Sequence, residues 1–501
     1  MLSTLLIIPV LGALVVACWP SQTRSIASTF ALATICWTIW LLTQFDLSNP
    51  SMQFVENVNW IDALGLSYRL GMDGLSLPLV ALNSLLTWIA IYSSDEQIER
   101  PRLYYTLILI LNAAVSGVFL AQDLLLFFIA YELELIPLYL LIAIWGGQKR
   151  AYAATKFLIY TALSGALILA AFLGLAWFGG SNSFIYNPAL ANALPVSQQL
   201  LLLGALLLGF GIKMPLFPFH TWLPDAHVEA STPISVLLAG VLLKLATYGI
   251  LRFCVGLFPD AWQIAAPWLS IWAIVSVLYG ALMAIAQTDM KKMVAYSSVS
   301  HMGYILLAAA ANTPLSFSAA MIQMVSHGLI SATLFLLVGV VYQKTKTRDI
   351  NVLEGLLNPE RGMPVIGSLM VVGVMASAGI PGMVGFVAEF LIFRSSFPIF
   401  PIQTLLCMVG TGLTAVYYLL LIDKAFFGRL SVPVQNLEAV TWRERYPAMI
   451  LTVAVVLFGL QPGWITRWSE PTIAATLHQS RIDVNIPDRL ALFSAKHSPK
   501  I

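Results

Sequence analysis

Five charged side chains stand where the surrounding residues leave little room for water. Lys213 closes "LLLLGALLLGFGIK", Lys244 sits in "VLLKLATYGI", Glu132 and Glu134 share "AYELELIPLYL", and Glu389 lies in "GFVAEF". An ionisable group in hydrocarbon costs roughly 2.5–3.5 kcal/mol or more, so it persists where it pairs, faces a hydrated interior and marks an ion path. His220, His301 and His327 fall in or beside the same kind of segment. Imidazole has an unperturbed pKa of about 6.5 and exchanges protons near neutrality. Lysine, carboxylate and imidazole together are the chemistry of a proton relay.

Each residue also has a plainer reading. A lone buried glutamate or lysine staples two helices together, and a lone buried histidine is commonly a hydrogen-bonded core residue. Two lysines and at least two acids spread over four separate segments exceed what one staple needs. Glu132 and Glu134 are two residues apart, about 200° around a helix, so they do not share a face and only one is expected on the path. Pro137 frees a backbone carbonyl beside Glu134. Asp123 stands at the mouth of the same segment, and serines precede His301 by one turn in "KKMVAYSSVS". Asp225 and His227 belong to "LPDAHVEA", read as a loop; lacking a third ligand, the pair is expected to cap or hydrogen-bond the loop rather than hold a metal.

These residues require a scaffold that excludes water. Of 501 residues, 59% are apolar and 10% charged, against roughly a quarter charged in soluble domains. Apolar runs long enough for a hydrocarbon layer of about 30 Å recur throughout, which predicts an all-α polytopic membrane protein rather than a barrel. About fourteen spans are predicted, near 2–20, 26–45, 74–93, 103–121, 123–145, 153–178, 198–220, 231–255, 266–287, 293–311, 316–342, 364–393, 402–427 and 446–465. The first lacks the basic start and cleavage site of a signal peptide, so a retained helix is expected.

Loops after odd-numbered spans hold sixteen lysines and arginines, whereas those after even-numbered spans hold three, Arg69, Arg252 and Arg394. Basic loops stay on the side of synthesis, so the N-terminus is expected on the opposite, non-cytoplasmic side. Five basic residues after position 465, Arg467, Arg481, Arg489, Lys496 and Lys500, run against that pattern and suggest a tail seated on a partner. Cys18, Cys36, Cys254 and Cys407 lie in apolar spans without CxxC spacing, so buried packing is expected and no disulfide, iron–sulfur or zinc site is supported. No GxGxxG or GxxxxGK[ST] motif supports nucleotide binding.

Interrupted helices at matching positions in two halves point to a transport site near the midplane. The seventh span carries "IKMPLFPF" and the twelfth "SAGIPGMVGFVAEF". Five spans separate them, which predicts two inverted five-helix repeats, spans 4–8 and 9–13, with Lys213 and Glu389 in equivalent places. A carboxylate beside such a lysine makes a switch, because moving a charge elsewhere changes the lysine's hold on its proton.

The segments "YELELIPLYLLIAIWGG", "KMPLFPFHTWLPDAHVEASTPISVLLAGVLLKLATYGILRF", "QTDMKKMVAYSSVSHMG", "HGLISATLFLLVGVVYQKTKTRDI" and "GIPGMVGFVAEF" together span residues 131 to 390. They resemble the antiporter-like, proton-pumping subunits of complex I, specifically the M-type (chain 4) family. "MDGLSLPLV" and "ELELIPLYLLIAIWGGQKRAYAATKFLIYT" look most like its cyanobacterial and chloroplast branch, the D subunits of NAD(P)H dehydrogenase-like complexes, and the divergent loops resemble the paralogues that serve carbon dioxide uptake. The 36 residues after about 465 are too few for the long lateral helix of the L-type family.

The resemblance implies a path through Glu132 as the essential acid, Lys213, Lys244 and Glu389, with His301 and His327 on its central axis. Members often have an apolar residue where Glu134 stands, which favours Glu132. It also implies three regions: a three-helix segment (1–100), an antiporter-like core (101–430), and a last span with its tail (431–501). The chain is expected to hold no cofactor, with iron–sulfur clusters and quinone in partner subunits. Its partners would be other membrane-arm subunits, including L-type and N-type chains, and lipids, not nucleic acid. The setting implied is a cyanobacterial thylakoid with a lumenal N-terminus, in a complex that passes electrons from ferredoxin to plastoquinone. The alternative is a subunit of a multisubunit cation/proton antiporter, which shares the lysine and glutamate motifs; a scaffold without transport would have little reason to keep charges in four spans.

Overall fold

The computed structural model describes residues 1–19, 21–435 and 437–482. Two apolar helices, α1 (Leu2–Cys18) and α2 (Thr23–Gln44), lead into an antiparallel hairpin of β1 (Gln53–Ile61) and β2 (Leu66–Met72). The hairpin corrects the all-α expectation. Its strand positions hold asparagines, a glutamate and an arginine among the apolar residues, so they carry little period-2 signal. Glu56 of β1 accepts from the backbone N–H groups of Leu2 (2.7 Å) and Ser3 (3.1 Å). It thereby satisfies donors that the first turn of α1 cannot pair internally.

Next come α3 (Ser76–Tyr92), α4 (Pro101–Leu120), α5 (Leu124–Leu133), α6 (Leu135–Trp145), α7 (Arg150–Phe178), the short α8 (Pro188–Asn192) and α9 (Val196–Lys213). The predicted fifth span is divided at Glu134, between α5 and α6, three residues before Pro137. Asp123 caps α5, accepting from the N–H groups of Leu125 and Leu126 and, across the hairpin, of Ser67. It is a structural cap.

Beyond α9 the chain forms α10 (Trp222–Glu229), α11 (Thr232–Leu237) and α12 (Leu243–Gly249). From α11 onward this is one fully buried span whose turns widen to π-helix at Leu238–Leu242 and Ile250–Val255. Widened turns of this kind recur at functional sites. The second half comprises α13 (Pro259–Ile285), α14 (Met290–Ala311), α15 (Pro314–Thr345), α16 (Pro364–Ser377), α17 (Val384–Ser396), α18 (Pro401–Phe426), α19 (Trp442–Leu460) and α20 (Gly463–Ile482). Among the described residues, ten helices are long and apolar enough to cross a membrane, and α19 with the start of α20 forms one further candidate bent by 65°. The C-terminal stretch thus begins as helix; Arg489, Lys496 and Lys500 lie outside the described residues.

The central helices α14 and α15 are almost wholly buried, while α7, α13 and α18 present apolar side chains outward, as a bundle in lipid requires. Cys254 and Cys407 are buried, but Cys18 and Cys36 face outward, which corrects their reading as core residues.

Arg252, counted from sequence as a loop charge, is 6% exposed and ion-paired with Asp73, itself 1% exposed. Its Nε also donates to Tyr248 (3.2 Å), whose hydroxyl donates to the Phe119 carbonyl (3.1 Å). Removing one member of a buried pair strands the other charge. Asp73→Asn is therefore expected to destabilise the protein by about 3–5 kcal/mol, whereas the double variant Asp73→Leu, Arg252→Met restores most of it. Thermal unfolding of the purified complexes measures both.

Candidate proton-transfer site

α9 ends at Lys213 because Pro215 and Pro218 supply no N–H group to continue the ladder. Its last carbonyls find other donors: Ile212 O accepts from the indole of Trp222 (2.9 Å), and Gly211 O from Leu216 N (3.0 Å). The chain restarts as helix at Trp222. The second break, between α16 and α17, uses backbone that glycine adopts freely, with φ +73° at Gly379 and +92° at Gly382. Both predicted breaks are present.

Lys213, 1% exposed, is ion-paired with Glu134, which is fully buried. Its ammonium also lies 3.4 Å from the ring centroid of Tyr131, a cation–π contact in a dry site. The Tyr131 hydroxyl is 3.1 Å from Ser164 Oγ, and that hydroxyl donates to Gly209 O at 2.7 Å. The structure thus brings Glu134, the acid not favoured from sequence, onto the lysine. Glu132 points elsewhere. It is half-buried against Gly165 of α7, so close that a Cβ at that glycine would fall 1.8 Å from Glu132 Oε1. Lys213 still interacts with it electrostatically.

A second cluster surrounds Lys244, which is completely buried. Its ammonium donates to Ala239 O within the π-helical turn (2.5 Å) and lies 2.8 Å from His327 Nδ1. The rings of His327 and His301 are 5.6 Å apart, and His301 Nε2 is 3.6 Å from Glu389 Oε1. Glu389 accepts from the Thr411 hydroxyl (2.9 Å), which is 3.1 Å from the Tyr304 hydroxyl. A cavity of about 10 Å³ lined by His301, His327, Gln323, Ser331 and Glu389 separates these groups. That is room for about one water. Lysine, two histidines and a carboxylate from α12, α14, α15 and α17 therefore form one continuous polar line.

His220 is 2% exposed, with both ring nitrogens lacking a protein partner and its ring 4.8 Å from that of Tyr279. The loop assignment of "LPDAHVEA" is corrected, because Asp225 and His227 lie within α10. Asp225 pairs with Lys156 at 2.7 Å, while His227 is completely buried and neither ring nitrogen has a protein partner. α10 was missed because its eight residues include Pro224 and follow two prolines, which reads as turn. The buried Asp73–Arg252 pair escaped for a simpler reason: its halves are 179 residues apart.

Residues 121–414 match the family described as NADH:quinone oxidoreductase/Mrp antiporter, TM. The chain is 43% identical over 444 residues to NAD(P)H-quinone oxidoreductase chain 4 2 of Microcystis aeruginosa, covering 85% of this chain and 79% of that one. It is 43% identical over 451 residues to NAD(P)H-quinone oxidoreductase chain 4-2 of a Synechocystis species, covering 87% and 80%. Its fold is similar to a chain of respiratory complex I from Thermus thermophilus with bound NADH, with a TM-score of 0.87, 27% identity, and coverage of 95% of this chain and 99% of that one. The Mrp complex from a Dietzia species contains a similarly folded chain, with a TM-score of 0.85, 21% identity, and coverage of 95% and 97%.

Proposed function

Because the chain belongs to the NADH:quinone oxidoreductase/Mrp antiporter transmembrane family, we propose that it is a proton-translocating membrane-arm subunit of a complex I-like assembly. That assembly takes electrons from NAD(P)H or ferredoxin and reduces quinone, plastoquinone in a thylakoid. The observation that carries this reading is the buried line Lys244–His327–His301–Glu389, together with the separate buried pair of Lys213 and Glu134.

Protons move along such a line by exchange between neighbours, and charges move by altering one another's proton affinity. In the arrangement described, Lys213 is neutralised by Glu134. We assign Glu132 as the second acid, to which Lys213 turns when charge arrives from a neighbouring subunit. Breaking one pair and making another changes the field at Lys244, which hands a proton to His327, and His301 passes it to Glu389 for release. Redox chemistry, iron–sulfur clusters and quinone belong to other subunits of the assembly, and the membrane-arm neighbours include L-type and N-type antiporter-like chains.

Fourteen crossings in two inverted five-helix units, spans 4–8 and 9–13, are supported by the ten long helices, the bent α19–α20 pair and the shorter apolar helices α1, α3 and α16. The broken helices at Lys213 and before Glu389 mark equivalent points of the units. Residues 1–100, 101–430 and 431–501 then form the three-helix segment, the core, and the last crossing with its tail. The excess of lysine and arginine in the loops after odd-numbered spans, which is larger still once the buried Arg252 is set aside, supports a lumenal N-terminus.

Purification in mild detergent from the native membrane tests the assignment. Co-purifying iron–sulfur and quinone-binding subunits are the expected result, and a carbonic-anhydrase-like zinc protein among them would add carbon dioxide uptake. Small antiporter subunits together with sodium-dependent proton exchange would overturn it in favour of a cation/proton antiporter.

A further inference from the structure

His227 is a buried titratable group that the relay above does not use. Its ring lies flat on Phe335 of α15, with centroids 4.4 Å apart and planes 9° from parallel. It is 0% exposed, and both ring nitrogens lack a protein partner. Buried polar atoms are almost always hydrogen-bonded, to ordered water where protein supplies nothing. Polar groups continue on either side of it. Ser231 Oγ, beside the Tyr104 hydroxyl, lies towards the basic loops, and Nε2 of His327, which lacks a protein partner, lies in the opposite direction.

The positions on α15 give the spacing. Phe335, Ser331 and His327 are successive residues four apart, so they lie on one face of the helix. Eight residues at a rise of 1.5 Å put His227 about 12 Å from His327 along the axis, a distance that a short chain of waters would bridge, with Ser331 midway. His227 interacts electrostatically with Lys291, Lys244 and His327. Lys291 is 4% exposed. It donates to Ala230 O (2.6 Å) and Arg348 donates to Val228 O (3.0 Å), so both cations bind carbonyls at the end of α10 and hold His227 in place.

We infer that His227 takes up protons from the side of the basic loops and delivers them to the Lys244–His327 pair, by an inlet separate from Lys213. In the step, one ring nitrogen accepts a proton from water on the Ser231 side and the other releases a proton to water beside Ser331. The imidazole returns to its neutral form by tautomer exchange. One proton enters and one leaves, with no change in oxidation state.

The inference rests on the proposed translocation, so its test includes a control for that reading. The intact complex is reconstituted in vesicles, and quinone reduction and internal acidification are followed together for the wild type, Lys244→Ala, His227→Phe and His227→Ala. Phenylalanine preserves the stacking on Phe335 but carries no proton. The expected result for His227→Phe is a normal subunit content and a proton-to-electron ratio that falls to that of Lys244→Ala. His227→Ala is expected to recover at least half of the lost ratio with added imidazole, which a merely structural role does not explain; His227→Phe, with its site filled, is not. Normal pumping by His227→Phe, or no rescue of an assembled His227→Ala complex, would overturn the inlet. Normal pumping by Lys244→Ala would instead reject the relay that the inlet serves.

Discussion

Lys213→Ala is expected to yield a complex that assembles with its full set of subunits and no longer translocates protons through this chain. Removing the lysine leaves Glu134 without its cation in a site from which water is excluded. A carboxyl in that position takes a proton and becomes neutral, so the local structure survives while the switch is lost. Groups that transfer protons contribute about 10²–10⁴-fold to the steps they serve, which sets the scale of the expected loss in this chain's translocation. Acidification of vesicles, normalised to quinone reduced, measures it. Undiminished pumping would remove Lys213 from the path.

The second large effect separates the two glutamates. Glu134→Gln leaves the ammonium of Lys213 unpaired in a site where it is 1% exposed. The expected cost is about 3–5 kcal/mol of stability together with loss of pumping. Glu132→Gln removes a half-buried carboxylate that packs on Gly165 and does not hold the lysine. Its stability is expected to stay within about 1 kcal/mol of wild type, while pumping is lost because Lys213 has no second acid to turn to. Thermal unfolding and vesicle acidification measured on both variants distinguish these roles. Normal pumping by Glu132→Gln would leave Glu134 as the only working acid.

Membrane character and both helix breaks were legible because they depend on composition and on proline and glycine, which act locally. The charge ladder was legible for the same reason, since a lysine in a run of leucines stands out wherever its partner is. Partner choice was not legible. Helical geometry shows that Glu132 and Glu134 point about 200° apart, but only the packing of α5 against α7 and α9 decides which one meets Lys213. His227 was hidden by its neighbours: proline-rich flanks mark a turn in sequence, yet the eight residues of α10 have enough contacts with α7 and α14 to stay helical in the core. Arg252 was misplaced by counting, because its acid lies 179 residues away, between β2 and α3, where no local pattern links the two.

That separation also bears on how the molecule is made. Asp73 leaves the ribosome 179 residues before Arg252. At about 5–20 residues per second, the interval is roughly 10–40 s. During that time the first helices enter the bilayer with a carboxylate whose cation, in the helix that carries Arg252, has yet to follow. If the pair fixes the first helices, nascent chains cut short before residue 252 are expected to be cleared by membrane proteases faster than those that end just beyond it.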